Sequence, residues 1–209
     1  MITQKQLLQW LETLVQVFND HKDYLTELDA AIGDADHGIN MSRGFQKVGE
    51  KLPTLPDQDL GNMFKTVSMT LISSVGGASG PLYGTFFLKA SAIAAGKHQL
   101  TDEELGTLLQ AGVEGVIQRG KANLGDKTMV DVLTPAVEVY QKAIAQGDTI
   151  KEALVKTVAT AEQAMKNTIP LMAKKGRASY LGQRSIGHQD PGATSCYLIL
   201  KTLGETVEG

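Results

Sequence analysis

The chain has 209 residues, of which 42% are hydrophobic and 21% are charged, and its net charge is −3. This composition excludes a disordered or fibrous protein, and a chain of this length can bury one hydrophobic core. The Lys and Arg residues form no basic stripe, which argues against nucleic acid as a partner. We therefore expect one domain over residues 1–209.

The predicted elements are helices. Apolar residues recur at helical spacing near the amino terminus: Leu7, Leu11, Leu14 and Phe18. Capping boxes, in which a hydroxyl and a carboxylate each bind a free amide, mark two later starts: Thr101 with Glu104, and Thr149 with Glu152. Weaker helical patterns cover residues 40–51, 60–75, 81–95, 129–145 and 193–207. Residues 66–75 also permit a buried strand, but no alternating strand flanks them. The sequence therefore predicts an all-α bundle of about eight helices.

The cellular compartment is indicated by one cysteine and by the absence of a long apolar run. Cys196 is the single cysteine of the sequence, so no disulfide can form within the chain, as is usual in a reducing compartment. No apolar run approaches the roughly 18 residues that a membrane span requires. We expect a cytoplasmic protein with neither signal peptide nor membrane anchor.

Three carboxylates lie close together in the sequence before residue 40. Asp29, Asp34 and Asp36 fall within eight positions that contain no Lys or Arg. Their mutual repulsion opposes a compact fold unless a cation neutralises them, and hard oxygen ligands select Mg²⁺ or Ca²⁺. Gly33 and Gly38 allow the chain to turn, so that the carboxylates converge. The segment predicts a magnesium site.

The segment has two other interpretations. An EF-hand is excluded, because the twelfth position counted from Asp34 is Phe45 rather than the closing Glu. A solvated turn, in which Asp36 only caps a helix over residues 38–52, stays open from this segment alone.

A second informative segment, residues 73–84, is rich in glycine: Gly76, Gly77, Gly80 and Gly84. The first three precede Pro81, a residue favoured at the first position of a helix, and exposed amides at a helix start bind phosphate. The segment matches neither the P-loop nor the dinucleotide fingerprint. Close packing of two helices is the alternative explanation of these glycines.

Further candidates for ligand contact follow in the second half of the chain. Lys127 could touch a phosphate, Met129 could contact an adenine ring, and Arg177 offers a planar fork for phosphate oxygens. Asp190 and Pro191 are typical of a helix cap and first helical residue, which is a complete structural explanation for both.

His37 and His188 lie in the glycine-rich segments and are better ligand candidates than the other histidines. A Ser/His/Asp triad can be assembled on paper, but no Gly-x-Ser-x-Gly elbow supports it.

Taken in order, these motifs resemble the nucleotide-binding L subunits of bacterial dihydroxyacetone kinases. The resemblance extends over essentially the whole chain and is carried by residues 33–38, 76–81, 125–128, 176–180 and 190–193. It implies a barrel of eight antiparallel helices with the nucleotide at one end.

The resemblance also implies the site residues. Asp29, Asp34 and Asp36 would bind two Mg²⁺ ions that bridge to the phosphates, and these three with Arg177 are the expected catalytic residues. The nucleotide would be surrounded by His37, Gly38, Ile39, Asn40, Ala78, Ser79, Gly120, Met129, Arg177, Asp190, Pro191 and Gly192.

The activity implied by the resemblance is phosphoryl transfer with ADP/ATP as a tightly bound coenzyme. A phosphohistidine carrier, subunit M of the phosphotransferase system, would rephosphorylate ADP in place at the expense of phosphoenolpyruvate. The acceptor, dihydroxyacetone, would be held on a separate K subunit. Two alternatives stay open: a kinase subunit that uses free ATP for another substrate, and a non-enzymatic nucleotide sensor. A homodimer is a further expected partner arrangement.

Overall fold

The structure is a computed structural model that describes residues 1–208, and it is almost entirely helical. The α-helices of these residues are α1 (Gln4–Asp20), α2 (Lys22–Ile32), α3 (His37–Gly49), α4 (Leu60–Ser74), α5 (Ser79–Ile93), α6 (Asp102–Gly120), α7 (Val130–Ala145), α8 (Ile150–Asn167) and α9 (Pro191–Glu208). Short 3-10 helices cover Leu52–Thr54 and Arg177–Ser185. Two-residue strands, β1 (Ile2–Thr3) and β2 (Gln99–Leu100), pair antiparallel. The all-α prediction is confirmed, and none of the described helices is long and apolar enough to cross a membrane.

Both predicted capping boxes are present. The hydroxyl of Thr101 accepts from the amide of Glu104, whose carboxylate accepts from the amide of Thr101 at 2.9 Å. Thr149 and Glu152 repeat the arrangement at the start of α8. These boxes provide acceptors for amides that have no partner within the helix. Because both residues of a box are near neighbours in the chain, the sequence predicts the two helix starts.

The sequence-based helix pattern missed α2 and misplaced two helix starts. The buried residues of α2 are Leu25, Asp29 and Ile32, so a carboxylate interrupts the apolar stripe that would reveal the helix. Helix α5 begins at Ser79, two residues before Pro81, and no side-chain cap marks its start. Helix α3 likewise begins at residue 37 rather than 40. Residues 66–74, whose composition also permits a strand, belong to α4.

The helices enclose one continuous cluster of buried hydrophobic side chains that extends from Ile2 to Val207. Each of α1 and α3–α9 packs against the next of these helices, and α9 packs against α1. The indole of Trp10 in α1 donates to the carbonyl of Ile199 in α9 at 3.1 Å. This buried hydrogen bond joins the first and last helices. The Nε2 of His37 lies 2.9 Å from the hydroxyl of Ser195, so the first turns of α3 and α9 lie side by side.

Helix α2 packs against α3 and α9, and Gly38 sets its distance from α3. A Cβ atom on Gly38 would lie 1.9 Å from the carbonyl oxygen of Lys22 and 2.7 Å from the amide nitrogen of Thr26. No side chain fits there, because backbone atoms cannot move aside as a flexible side chain can. The close approach fixes α2 relative to α3, and therefore fixes Asp29 relative to Asp36.

We predict that Gly38→Ala lowers the free energy of unfolding by about 1–3 kcal/mol, because the added methyl group must push two helix backbones apart. Gly49→Ala in the same helix is the control, since its Cβ would meet only the Val15 side chain, at 3.2 Å. Urea unfolding measures both. Equal stabilities for the two variants would contradict the packing role of Gly38.

Candidate functional site

A cavity of about 500 Å³ lies where four helices begin. The starts of α3 at His37, of α5 at Ser79, of α7 at Val130 and of α9 at Pro191 all line it. The first turn of a helix has amides without partners and carries the positive end of the helix dipole, so each start attracts an anion. Protein oxygens already accept from some of these amides, as Asp29 does from His37, Thr128 from Val130 and Asp190 from Ala193. The helix dipoles and the remaining amides suit the cavity to an anionic ligand such as a chain of phosphates.

The three carboxylates of the sequence motif stand at one side of this cavity. Asp29 comes from the end of α2, whereas Asp34 and Asp36 lie in the turn that leads into α3, and their ligand oxygens lie within 4.8 Å of one another. One oxygen of Asp29 accepts from the amides of Asp36, at 2.8 Å, and His37, at 3.1 Å. A Cβ on Gly33 would lie 2.0 Å from the other oxygen of Asp29, so only glycine leaves room for this carboxylate.

The charges of this cluster are poorly balanced by the protein itself. At about 5 Å and an effective dielectric constant of about 20, two like charges repel by roughly 3 kcal/mol. The cation in contact is Arg177, whose Nε lies 2.9 Å from an oxygen of Asp34, but its side chain is 68% exposed. An exposed ion pair contributes about 0–1 kcal/mol, too little to offset the repulsion. Asp36 makes no capping hydrogen bond, so its carboxylate is not used by α3. Three hard oxygen donors in this arrangement fit a divalent cation such as Mg²⁺.

His37 is buried at the cavity and lies in a chain of hydrogen-bonding side chains. Its Nδ1 is 3.2 Å from the hydroxyl of Ser79, and its Nε2 is 2.9 Å from the hydroxyl of Ser195, which in turn contacts the hydroxyl of Tyr83 at 2.5 Å. Burial lowers the pKa of His37 to about 4, although nearby carboxylates oppose the shift. The ring is therefore neutral at pH 7 and takes part by hydrogen bonding. Sequence analysis identified His37 and Ser79 but missed Ser195 and Tyr83, because only the fold brings these helices together.

The glycine-rich segment lines the cavity, and one of its glycines also serves close packing. Gly77 has a φ of +64° just before α5, and Gly76, Gly77, Ala78 and Ser79 line the cavity. A Cβ on Gly80 would lie 2.3 Å from the carbonyl oxygen of Val75, so this glycine is required for close packing instead.

Three residues predicted to surround the nucleotide do not line the cavity: Gly38, Ile39 and Asn40. Gly38 packs against α2, and the side chain of Ile39 is 48% exposed. Asn40 lies under the glycine-rich turn: its Oδ1 would be 2.8 Å from a Cβ on Gly76 and accepts from Arg43 at 2.6 Å. The structure thus gives Gly38 and Asn40 supporting positions, and any direct contact of the three with a nucleotide stays a prediction.

An apolar wall completes the cavity. Met129, which is 5% exposed, and Gly120, the last residue of α6, line the cavity as predicted. Four further apolar residues line it with them: Ile32, Leu82, Val116 and Ala122. Such a wall suits a flat apolar ring. Leu82 and Val116 were missed, because apolar residues at helical spacing cannot be told from ordinary core residues in a sequence.

The start of α9 is held by its own cap. The carboxylate of Asp190 accepts from the amide of Ala193 at 2.7 Å, and Pro191 is the first helical residue, so the predicted cap is confirmed. Burial raises the pKa of Asp190 to about 7, although the Ala193 amide and Lys127 oppose the shift. Asp190, Pro191 and Gly192 also line the cavity, so the structural role and a ligand-binding role share the same residues.

Two ligand candidates from the sequence differ in position: Lys127 lines the cavity, whereas His188 does not. The ammonium of Lys127 donates to backbone carbonyls, including those of Ser185 at 2.7 Å and His188 at 2.5 Å, which leaves no N–H for a phosphate. His188 is exposed and does not line the cavity.

Comparison with known proteins identifies relatives over the whole chain. A family model described as the DAK2 domain matches residues 31–205. The chain is 50% identical over 202 residues to the "PEP-dependent dihydroxyacetone kinase, ADP-binding subunit DhaL" of Escherichia coli (strain K12), a match that covers 97% of this chain and 96% of that protein. It is 41% identical to the "PTS-dependent dihydroxyacetone kinase, ADP-binding subunit DhaL" of Lactococcus lactis, with 99% and 100% covered.

A solved structure has the same fold. The dihydroxyacetone kinase from C. freundii, in complex with AMP-PNP and Mg²⁺, matches with a TM-score of 0.71 and 27% identity over 95% of this chain and 33% of that chain. The present chain thus spans about one third of the length of that kinase. With a family model that matches most of its residues and relatives that match it nearly end to end, the chain belongs to the DAK2 domain family.

Proposed function

We propose that the chain is the nucleotide-holding subunit of a phosphoenolpyruvate-dependent dihydroxyacetone kinase, and that residues 1–209 form one nucleotide-binding domain. The observation that carries this proposal is the cluster of Asp29, Asp34 and Asp36 beside four helix starts, because it pairs a cation site with an anion site in one cavity. The names of the two bacterial relatives and the AMP-PNP and Mg²⁺ complex of the solved kinase support it.

The proposed division of labour within the cavity follows from its contacts. Asp29, Asp34 and Asp36 would hold Mg²⁺, for which we propose two ions, and when bound the metal would neutralise and orient the phosphates. The helix-start amides that make no hydrogen bond to the protein and the guanidinium of Arg177 would hold phosphate oxygens, and the apolar wall would hold adenine. The remaining proposed contacts are His37, Ala78, Ser79, Gly120, Met129, Asp190, Pro191 and Gly192.

Phosphoryl transfer needs little covalent chemistry from the protein that holds the nucleotide, because positioning and charge neutralisation supply most of the catalysis. His37 fits this role, because its buried neutral ring can orient the Ser79 hydroxyl by hydrogen bonding and adds no charge to the site. The acceptor ketone would come from a separate K subunit and the phosphoryl group from a phosphohistidine carrier. A homodimer and a cytoplasmic location complete the proposal.

The first experiment identifies the phosphoryl donor. We expect the purified chain, combined with a K subunit and dihydroxyacetone, to turn over with a phosphoenolpyruvate-driven carrier while its ADP stays bound. Free ATP should give at most slow turnover, because exchange of the bound nucleotide would limit the rate. Rapid turnover with ATP alone and free exchange of labelled ADP would overturn the coenzyme proposal. No turnover with either donor would favour a nucleotide sensor.

The metal site is tested by thermal unfolding. A ligand that binds only the native state at 1,000 times its Kd stabilises it by about 4 kcal/mol, or roughly 10 °C for a chain of this size. We expect Mg²⁺ and ADP to raise the melting temperature by this order in the unmodified chain and EDTA to abolish the increase. Asp36→Asn should remove most of the increase while the helical circular dichroism is retained. Asp23→Asn is the control, because that carboxylate lies on α2 and its side chain is 96% exposed. An unchanged increase in Asp36→Asn would rule out its role as a metal ligand.

The role of Arg177 is tested by a substitution that keeps its charge. Arg177→Lys should slow phosphoryl transfer by about tenfold or more, because a point charge cannot form the two parallel hydrogen bonds of a guanidinium. Arg184→Lys is the matched control, since Arg184 is exposed in the same 3-10 helix and does not line the cavity. Steady-state rates measure both variants, and equal rates would remove Arg177 from the site.

A further inference from the structure

Lys127 is a buried lysine whose ammonium is surrounded by backbone oxygens. Its side chain is 1% exposed. The ammonium donates to four carbonyls: Ser185 at 2.7 Å, His188 at 2.5 Å, Leu171 at 3.0 Å and Ile169 at 3.4 Å. A buried charge is stable only when its hydrogen-bonding groups are used, and an ammonium has three N–H groups for these four acceptors. The position is therefore a closely fitted cation site that the lysine itself fills.

The four carbonyls belong to the two ends of one segment. This segment, residues 168–190, connects α8 to α9 and will be called the connecting segment. Ile169 and Leu171 lie at its beginning and Ser185 and His188 lie near its end, so Lys127 binds the two ends together from one side. The amide of Gly187 also donates to the carbonyl of Ile169 at 2.8 Å, which closes the base of the same loop.

The connecting segment carries residues of the nucleotide site beyond this closed base. Arg177 lies in the loop between the two ends, and Asp190 follows directly after them at the start of α9. Both line the cavity. Movement of the two ends apart would displace Arg177 and the start of α9 together.

The turn that presents Lys127 is held by side-chain hydrogen bonds. Lys127 has a φ of +62°, which is unfavourable for a residue with a side chain and persists only when its surroundings impose it. The carboxylate of Asp131 accepts from the amides of Gly125, at 2.5 Å, and Thr128, at 2.7 Å, so the turn is closed around the lysine. Because Met129 follows in the same turn and lines the cavity, the turn connects the apolar wall to the connecting segment.

We infer that Lys127 is a positioning residue of the nucleotide site: its ammonium holds the two ends of the connecting segment together and so keeps Arg177 and the start of α9 in place around the phosphates. The predicted effect of Lys127 on nucleotide release rests on the proposed function. The predicted effect of Lys127 on the connecting segment does not depend on that function. If Lys127 contributed only to stability, the rate of nucleotide release would not depend on whether a charge is present at this position.

The first test compares release of a fluorescent ADP analogue, chased by excess ADP, from the unmodified chain and from Lys127→Met. This substitution keeps an unbranched side chain that lacks only the terminal atom position, and it removes the charge. We expect dissociation to become about 10- to 100-fold faster, the usual effect of removing a residue that orients primary ligands. Lys156→Met, an exposed lysine paired with Asp148, is the matched control. Leu14→Ala, a core substitution in α1, controls for lost stability. Dissociation that is unchanged in Lys127→Met, or accelerated equally in Leu14→Ala at the same loss of melting temperature, would overturn the inference.

Chemical rescue separates the cation from the rest of the side chain. Propylammonium added to Lys127→Ala can place a cation among the four carbonyls, and we expect it to restore slow dissociation, whereas the neutral analogue 1-propanol should not. Equal rescue by both compounds would overturn the inference, because the charge of the ammonium would then not be needed. Amide hydrogen exchange without nucleotide gives an independent readout: Lys127→Met should exchange faster in residues 168–190. If the unmodified chain binds no ADP, the proposed function fails; if exchange in residues 168–190 is unchanged, the inference about Lys127 fails.

Discussion

Three carboxylates that repel one another are held within 4.8 Å at one end of the molecule, and much of the local structure serves to keep them there. The amides of Asp36 and His37 fix one oxygen of Asp29. Gly33 leaves space for that carboxylate, and Gly38 brings α2 against α3. Without these constraints the side chains would separate, because the exposed ion pair with Arg177 stabilises the cluster too weakly to offset the repulsion between the carboxylates. The arrangement makes physical sense as a site prepared for a divalent cation and its anionic ligand.

The helix packing supplies the other half of this electrostatic design. Because α1 and α9 are joined through Trp10 and each helix packs on the next, the starts of four helices meet at the carboxylate cluster. A phosphate chain held there would have the positive ends of helix dipoles on several sides and the metal-binding carboxylates on another. The same physical requirement explains why glycine and small residues border the cavity: only backbone that is free of side chains can approach phosphate oxygens closely.

Charged residues near the cavity divide into those that can meet a ligand and those that hold the protein together. Arg177 is exposed and belongs to the first group, whereas Lys127 is buried among carbonyls and belongs to the second. Asp190 belongs to both, because it caps α9 and lines the cavity. Membership of the DAK2 domain family fits this division, since transfer of a phosphoryl group depends on how accurately the protein positions its charges.

The sequence by itself determined the features that depend on near neighbours in the chain. Helix type followed from apolar spacing, the starts of α6 and α8 followed from capping boxes, and the carboxylate motif followed from three acids without a basic residue between them. Helix α2 was not found, because Asp29 occupies its buried face and breaks the apolar pattern. Only the tertiary structure decided which residues far apart in sequence meet. It joined His37 to Ser195 and Tyr83, removed Gly38 and Asn40 from the cavity lining, and turned Lys127 toward the connecting segment. The physical reason is that a side chain's role is set by the groups that surround it after folding, and those groups come from other helices.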